Sequence, residues 1–399
     1  MFVDFLSLFL YSLLPGFAKI FDQQAFFLLN LPIIAFLLMR HKKSIAIRKV
    51  DIVFYVFFFY IIVQSIVSFF SPHINQIALF MGIFMYLIPF AGFFYSRFIE
   101  LETFIDILLK IVVIHCLLGI ILYPAFGLSN YLGTFYEKLH EGVAFGRMSS
   151  VSGSLGFANL MMVGFISAYH NKGKLYLFII GLCLIMSMQR SSWLASIFAI
   201  MLSTSVNFRS IGVKKIFLFG IFLMIGTSLL IKIASNEDFD MLFSRFSEFG
   251  NEAASERSDQ WVGGFDNFLT FPQGAGVGQA GQISARYETN TALNLVPDGD
   301  FLRVLSEVGF VGLLFYSFII VLLFYSITTI KVGQKRKILL VSIVAGYSIQ
   351  MIGSNITEFY FTNFIYWVFI GYFFDLLIIN KVSISNNHNN TTQCSKYEN

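Results

Sequence analysis

Long, uninterrupted runs of apolar residues dominate the chain, each roughly 15 to 25 residues long and bounded by short polar breaks. A segment that crosses lipid must satisfy its backbone hydrogen bonds internally, so only helices and closed barrels span a bilayer. The runs are continuous and do not alternate with period two, which argues against a β-barrel. With 57% hydrophobic and only 13% charged residues, the composition excludes a soluble globular protein and a disordered chain. The sequence predicts an all-α polytopic membrane protein.

About twelve spans follow from these runs. The first run carries Asp4 and no basic residues before it, so we interpret it as a retained span and not as a cleaved signal. Polar residues 381–399 are predicted to form a disordered tail. The predicted spans are 3–18, 24–39, 51–71, 77–96, 103–124, 154–170, 175–189, 192–207, 216–233, 304–328, 338–354 and 362–379.

Basic residues are distributed unevenly between the two sides of these spans. If the N-terminus is cytoplasmic, alternating loops place 17 of the 27 lysines and arginines on the cytoplasmic side and nine on the outer side, with Lys110 inside a span. Cytoplasmic loops of membrane proteins are enriched in lysine and arginine. We therefore expect both termini, and the tail, in the cytoplasm.

Two predicted outer segments are long, which divides the chain into four parts. Residues 1–233 would hold the first nine spans and a short outer loop near 125–153. Residues 234–303 would form a large extracytoplasmic loop, and 304–380 would hold the last three spans before the tail. Loops of this length are usually functional in compact proteins.

The large loop contains two amphipathic stretches and a glycine-rich turn. Apolar residues at helical spacing predict two short helices lying on the membrane surface. The sequence PQGAGVG at 272–278 then ends the second helix, and we interpret it as a tight turn because a phosphate loop requires a strand before it and Lys-Ser/Thr after it. The apolar residues are Phe239, Leu242, Phe243 and Phe246 in the first stretch and Trp261, Phe265, Phe268 and Leu269 in the second.

Four arginines on the outer side, Arg147, Arg190, Arg257 and Arg303, are candidates for anion binding. The two spans that flank Arg190 are short, which places it near the lipid head groups. A guanidinium stays charged and binds phosphate oxygens through two parallel hydrogen bonds. Several such groups could hold a lipid-linked pyrophosphate and stabilise it as a leaving group. The alternative is that they contact head groups or pair with loop acids.

Asp298 and Asp300 lie in VPDGDFLRVL, where the large loop re-enters the membrane. A partly desolvated carboxylate there could take a proton from a hydroxyl. The alternative is that both form a turn, with Asp300 capping the tenth span.

The remaining residue patterns do not indicate a further catalytic or binding site. Asp106 and Lys110 are four residues apart on one helix face, which favours a structural ion pair; with His115 one turn further along, a proton or ion path is the alternative. The histidines and cysteines show no metal-ligand spacing, so neither a metal nor a cofactor is predicted. Scattered basic residues and a net charge of +4 argue against nucleic acid as a partner.

Four short pieces of the sequence, taken in their order along the chain, resemble motifs of the Wzy-type O-antigen and capsular polysaccharide polymerases. The superfamily of these polymerases includes the O-antigen ligases. Together the pieces cover about 145–312. In the last piece Asp298 stands three residues before the aromatic, where ligases often have histidine and polymerases are similar in having aspartate. The pieces are Arg147, Gly153 and Asn159 in GRMSSVSGSLGFANL; MQRSS around Arg190; Arg257 and Trp261 followed by Pro272, Gly274, Gly276 and Gly278; and Phe301, Leu302, Leu305, Glu307, Gly309 and Gly312.

The resemblance implies a glycosyltransferase of the membrane-embedded C type in the bacterial inner membrane. Its donor and acceptor would be undecaprenyl-pyrophosphate-linked oligosaccharides, and a chain-length regulator and a flippase are candidate partners. Arg190 and Arg257, with Arg147, would hold the donor pyrophosphate, and Asp298 would activate the acceptor hydroxyl without a metal. Trp261, Asp300 and Arg303 would contribute to substrate binding.

Two other functions compete with a polymerase. An O-antigen ligase would move finished polymer onto a lipid A core. A polysaccharide flippase would also have about twelve spans, but it would lack a large outer domain and show internal symmetry. The predicted loop and the lack of a visible repeat favour the polymerase.

Overall fold

The computed structural model describes residues 2–20, 29–40, 51–70, 74–123, 147–171, 173–207, 262–281, 284, 299–329 and 334–376. Within these ranges every regular element is helical and no residue lies in a strand. The helices are α1 (Phe2–Ile20), α2 (Asn30–Arg40), α3 (Asp51–Phe69), α4 (Gln76–Tyr95), α5 (Leu101–Ile121), α6 (Ser154–Asn171), α7 (Lys174–Met186), α8 (Arg190–Asn207), α9 (262–270), α10 (Asp300–Thr329), α11 (Lys335–Gly353) and α12 (360–376).

The outer faces of these helices are apolar and exposed. Along α3, Phe54 and Phe57 are buried, whereas Val56 is 60% and Phe59 is 67% exposed on the opposite face. Exposed apolar surface of this extent is stable against lipid and not against water. By length and composition α3, α4, α5, α10 and α11 can each cross a membrane, while α1, α2 and α7 are shorter apolar helices. The protein is an integral membrane protein, and the part of the chain that the structure describes is all-helical.

The core is built around α12, which is buried along nearly its whole length. Its aromatic residues meet those of α3, α4 and α10; Phe315, for example, stacks on Phe57 with ring centroids 3.9 Å apart and on Trp367 at 5.9 Å. Gly92 lets α4 approach α12, since a Cβ there would lie 2.6 Å from the carbonyl oxygen of Phe364. This packing fixes the positions of the helix ends.

Ion pairs connect helix termini at one end of the bundle, which we call the basic end. The Asp51 carboxylate at the start of α3 pairs with Arg97 after α4, and Arg336 at the start of α11 pairs with Glu102 at the start of α5. Arg40 and Asp4 join α2 to α1 at 3.2 Å. The alternating helices place the starts of α8, α10 and α12 at the opposite end.

The predicted spans agree with the helices in most places. Every predicted span except 216–233, which falls outside the described residues, has a helical counterpart. The tenth differs, because α10 begins at Asp300 and is broken at Gly309, whose φ is 68° and ψ is −149°. A short re-entering helix thus precedes the long one. The helix predicted around 239–246 and the tail also lie outside the described residues, whereas α9 matches the second predicted loop helix.

Candidate functional site

The MQRSS turn connects α7 to α8 and places Arg190 at the first residue of α8. Helix α7 is only 13 residues long, and its last carbonyls are taken by the amides of Ser187 and Met188. Met188 has a φ of 51°, a left-handed conformation that is costly for a residue with a side chain. The carbonyl of Gln189 then accepts from Trp193 and starts α8. Partly buried Arg190 therefore stands where a helix N-terminus adds further positive potential.

The segment 353–358, which runs from the last residue of α11 through a 3-10 helix at Ile356–Glu358, touches two of the family-like pieces. Ser354 Oγ lies 2.9 Å from Ser191 Oγ and accepts a hydrogen bond of 3.2 Å from Gln189 Nε2. Next to it, the Asn355 Oδ1 accepts from the backbone amide of Gly299 at 3.0 Å. The segment therefore brings the MQRSS turn and Gly299 together, although they are far apart in sequence.

Asp300 and Arg303 are buried where the re-entering half of α10 meets this segment. The Asp300 carboxylate accepts from the amide and from the hydroxyl of Thr357, the amide at 3.0 Å. Arg303 donates to Glu307 at 2.8 Å and to the Thr357 hydroxyl, and its Nε lies 3.5 Å from Asp300 Oδ1. Tyr86 of α4 donates to the same Glu307 carboxylate at 2.8 Å. Each of these charged groups already has partners within the protein, so direct contact of Arg303 or Asp300 with a substrate requires the network to open.

The glycine-rich turn 272–278 packs against the break in α10. Backbone amides of Ala275 and Gly276 donate to the carbonyls of Ser306 and Glu307 at 2.8 and 3.1 Å. The amide of Gly278 donates to the Glu307 side chain at 3.2 Å. The turn predicted for PQGAGVG is confirmed. The anionic group that one of its amides binds is the Glu307 carboxylate of the protein itself.

Arg147 begins a buried segment that lies beside the end of α7. The amide of Met148 donates to the carbonyl of Met186 at 2.9 Å, four residues before Arg190. Deeper in the bundle Gln350 of α11 donates to both Asn159 of α6 and Ser192 of α8, the latter at 2.6 Å. The segment of Arg147 and the turn of Arg190 are thus neighbours at one end of the bundle.

The predicted site residues fall into three groups. Arg147 and Arg190 flank one location, next to the end of α7. Arg303 and Asp300 lie inside the buried network. Arg257, Trp261 and Asp298 lie outside the described residues, so their roles stay predictions. Within the described ranges no group of histidine, cysteine and acidic side chains is arranged to bind a metal.

Sequence reasoning missed the central role of the segment 353–358. It begins at the end of the predicted span 338–354, precedes the span 362–379 and resembles an ordinary polar connection. A signal was present, since GSNITE combines small, amide, hydroxyl and carboxylate residues within six positions. We name this end of the bundle, defined by residues 147–153, 188–192, 272–278, 299–309 and 353–358, the motif end.

Comparison with known proteins adds one match. Residues 175–317 match the Wzy_C family, which is described as O-antigen ligase. The matched part is slightly more than one third of the chain and includes Arg190 and Arg303. No curated protein matches the chain. The match confirms the resemblance to the O-antigen polymerase and ligase superfamily that the sequence motifs indicated.

Proposed function

Starting from the match to this superfamily of membrane glycosyltransferase-like enzymes, we propose that the protein is a polysaccharide polymerase. It joins undecaprenyl-pyrophosphate-linked repeat units of an O-antigen or capsule at the outer face of the inner membrane. The observation that carries the proposal is the gathering of the described parts of the family-like pieces at the motif end, two of them in contact with the segment 353–358. Both termini and the basic end would then face the cytoplasm.

In this reaction the arginines bind the donor. Arg190 and Arg257 hold the pyrophosphate, and Arg147, whose segment lies against the end of α7, assists them. Guanidinium groups form paired hydrogen bonds with phosphate oxygens and stabilise the negative charge that develops as the pyrophosphate leaves. Their positive charge takes the part that a metal plays in other glycosyl transfers, which makes the reaction metal-independent.

Asp298 acts on the acceptor. It accepts the proton of the sugar hydroxyl as that oxygen attacks the anomeric carbon of the donor, which gives inversion at that carbon. This role is supported by the two residues that follow Asp298. Gly299 is hydrogen-bonded to Asn355, and Asp300 is hydrogen-bonded to Thr357. A base must be held within hydrogen-bond reach of its proton, and an anchored neighbour restricts its motion. Trp261 contributes to sugar binding in the same loop.

Replacement of Arg190 tests the pyrophosphate role. We expect Arg190→Ala to keep the protein in the membrane and to reduce polymerisation at least about hundredfold, the usual loss when a group that stabilises the transition state is removed. The assay uses lipid-linked repeat units extracted from cells that lack this protein, and it measures polymer length on a gel. Arg190→Lys should rescue poorly, because lysine lacks the two-pronged geometry.

Arg336→Ala at the basic end is the matched control, since it removes the same charge far from the proposed site. It should give normal polymer. Polymer of wild-type length from the Arg190→Ala protein would exclude the pyrophosphate role. Unchanged binding of undecaprenyl pyrophosphate to that variant would point to the same conclusion.

An O-antigen ligase is the second candidate, because the matched family carries that description. The two activities differ in their acceptor. A ligase joins finished polymer to a lipid A core, so its loss leaves polymer on the carrier lipid. Loss of a polymerase leaves single repeat units instead. Incubation of the purified protein with lipid-linked repeat units alone separates the two, since only a polymerase lengthens them.

A further inference from the structure

His115, in the middle of the bundle, contacts two serines from different parts of the chain. It lies on α5, is fully buried and has one ring nitrogen facing each serine. Nδ1 lies 2.6 Å from the hydroxyl of Ser150, and Nε2 lies 2.9 Å from the hydroxyl of Ser12 on α1. Neither the sequence motifs nor the proposed mechanism uses this residue.

The hydrogen bonds around His115 determine which nitrogen carries the proton. Ser12 donates its only hydroxyl hydrogen to the carbonyl of Phe9 at 2.6 Å, so it can only accept from the imidazole. Nε2 is therefore the protonated nitrogen, and Nδ1 is an acceptor for Ser150. Ser150 in turn accepts from the amide of Ser152 at 3.3 Å and lies 2.9 Å from its hydroxyl. The result is a chain of hydrogen bonds in which every donor points the same way, from Ser152 through Ser150 and His115 to Ser12 on α1.

The segment that His115 contacts is the one that carries Arg147. Residues 148–150 have no regular structure, yet all three are buried. Two glycines make room for the segment: a Cβ on Gly119 would lie 3.3 Å from Met148 Cγ, and one on Gly16 would collide with Val151. Met148 is also bonded to the end of α7. An irregular segment surrounded on three sides depends on such side-chain contacts because it has no backbone ladder of its own.

We propose that His115 is a positioning residue, which anchors the segment 147–152 through Ser150 and thereby aligns Arg147 beside Arg190. The inference rests on the proposed function for its catalytic consequence, while the anchoring itself is a property of the fold. A guanidinium displaced by about 1 Å can cost about a hundredfold in rate. His115, which acts on Arg147 through Ser150, can therefore affect the rate without contacting the substrate.

Two substitutions separate the two contacts of His115. The Oδ1 of asparagine occupies roughly the place of Nδ1, so His115→Asn keeps an acceptor for Ser150 and loses the contact with Ser12. The amide of glutamine reaches the place of Nε2, so His115→Gln keeps the donor to Ser12 and loses the acceptor for Ser150. Both variants remove the ring, but asparagine is one methylene smaller than glutamine and leaves the larger cavity at this buried position, so a pure loss of volume would harm His115→Asn more than His115→Gln.

The test combines hydrogen exchange with activity in purified, full-length protein. We expect His115→Gln to speed exchange of the amides of residues 148–152 at least about tenfold and to lower kcat by about ten- to a hundredfold, with membrane levels retained. His115→Asn should stay within about threefold of wild type in both. Ser150→Ala should resemble His115→Gln, and Ser12→Ala should resemble His115→Asn.

An effect of His115→Asn that equals or exceeds that of His115→Gln would mean that His115 only fills space, and would overturn the proposal. Normal exchange and normal activity in His115→Gln would do the same. Failure of the proposed function has a different signature: Arg147→Ala would then polymerise normally, while exchange would still distinguish the glutamine from the asparagine variant. If Arg147 is the target, His115→Gln should add little to the loss caused by Arg147→Lys, because both act on the same contact.

Discussion

The two ends of the helix bundle are held together by different kinds of contact. At the basic end the ion pairs join helix termini, as Asp4 with Arg40 and Asp51 with Arg97 do. At the motif end each charged group of the buried network has several partners, and backbone amides are among them. Glu307, for example, accepts from Tyr86, Arg303 and the amide of Gly278. The basic end connects helices, whereas the motif end fixes the shape of irregular backbone.

This difference is what a reaction at the motif end would require. A site that stabilises developing charge must hold its groups in place before the substrate arrives. Irregular segments cannot do this alone, because their backbone groups need partners inside the bundle. The network around Arg303 supplies those partners to the turn 272–278 and, through Thr357, to the segment 353–358. Its members therefore stabilise the fold and position the site together.

Removing Arg303 should give the largest effect. The side chain is 1% exposed and lies between Asp300 and Glu307. Arg303→Ala leaves two buried carboxylates without their cation, which typically costs about 3–5 kcal/mol. We expect loss of most folded protein, measured as the monodisperse fraction and melting temperature in detergent. A melting temperature within a degree or two of wild type would show that the motif end does not depend on its network.

The close packing of the glycine turn on the α10 break should give a smaller but clear effect. Gly274 and Gly309 both have positive φ, 93° and 68°, and a Cβ on Gly309 would collide with the carbonyl of Pro272. Gly309→Ala should therefore destabilise the protein by about 1–3 kcal/mol. Gly173→Ala is the matched control, since Gly173 has a φ of −75° and, among the described residues, nothing beyond its chain neighbours lies within 4 Å of the place that a Cβ would occupy.

A thermal melt of the two alanine variants checks this prediction. The Gly309 variant should melt several degrees lower, and the Gly173 variant should match the wild type. Equal melting temperatures would mean that the turn and the break can separate without cost, and the motif end would then be no more tightly built than the basic end.

The comparison also shows what the sequence could predict. Helices, their approximate bounds and the turn at 272–278 followed from local pattern, because apolar runs and glycine-proline clusters act within a few residues. The short helix α7 before Arg190 followed from the same local pattern, while the role of Arg190 stays a prediction. The partners of Glu307 and the segment 353–358 were not found, because their contacts join residues far apart in the chain. Arg303 illustrates the limit: its residue type suggested an anion site, while its buried partners are visible only in three dimensions.

The smallest effect is expected for the ion pair of Arg336 with Glu102 at the basic end. Their side chains are 71% and 53% exposed, so water and salt screen the attraction. Arg336→Ala should change stability by less than about 1 kcal/mol, and a double-mutant cycle with Glu102→Ala should give a coupling near the lower limit of detection. Because the pair is exposed, the remaining coupling should vanish in high salt. The buried network around Arg303 should keep its contribution in high salt, so the salt dependence of the two losses measures the difference between the ends directly.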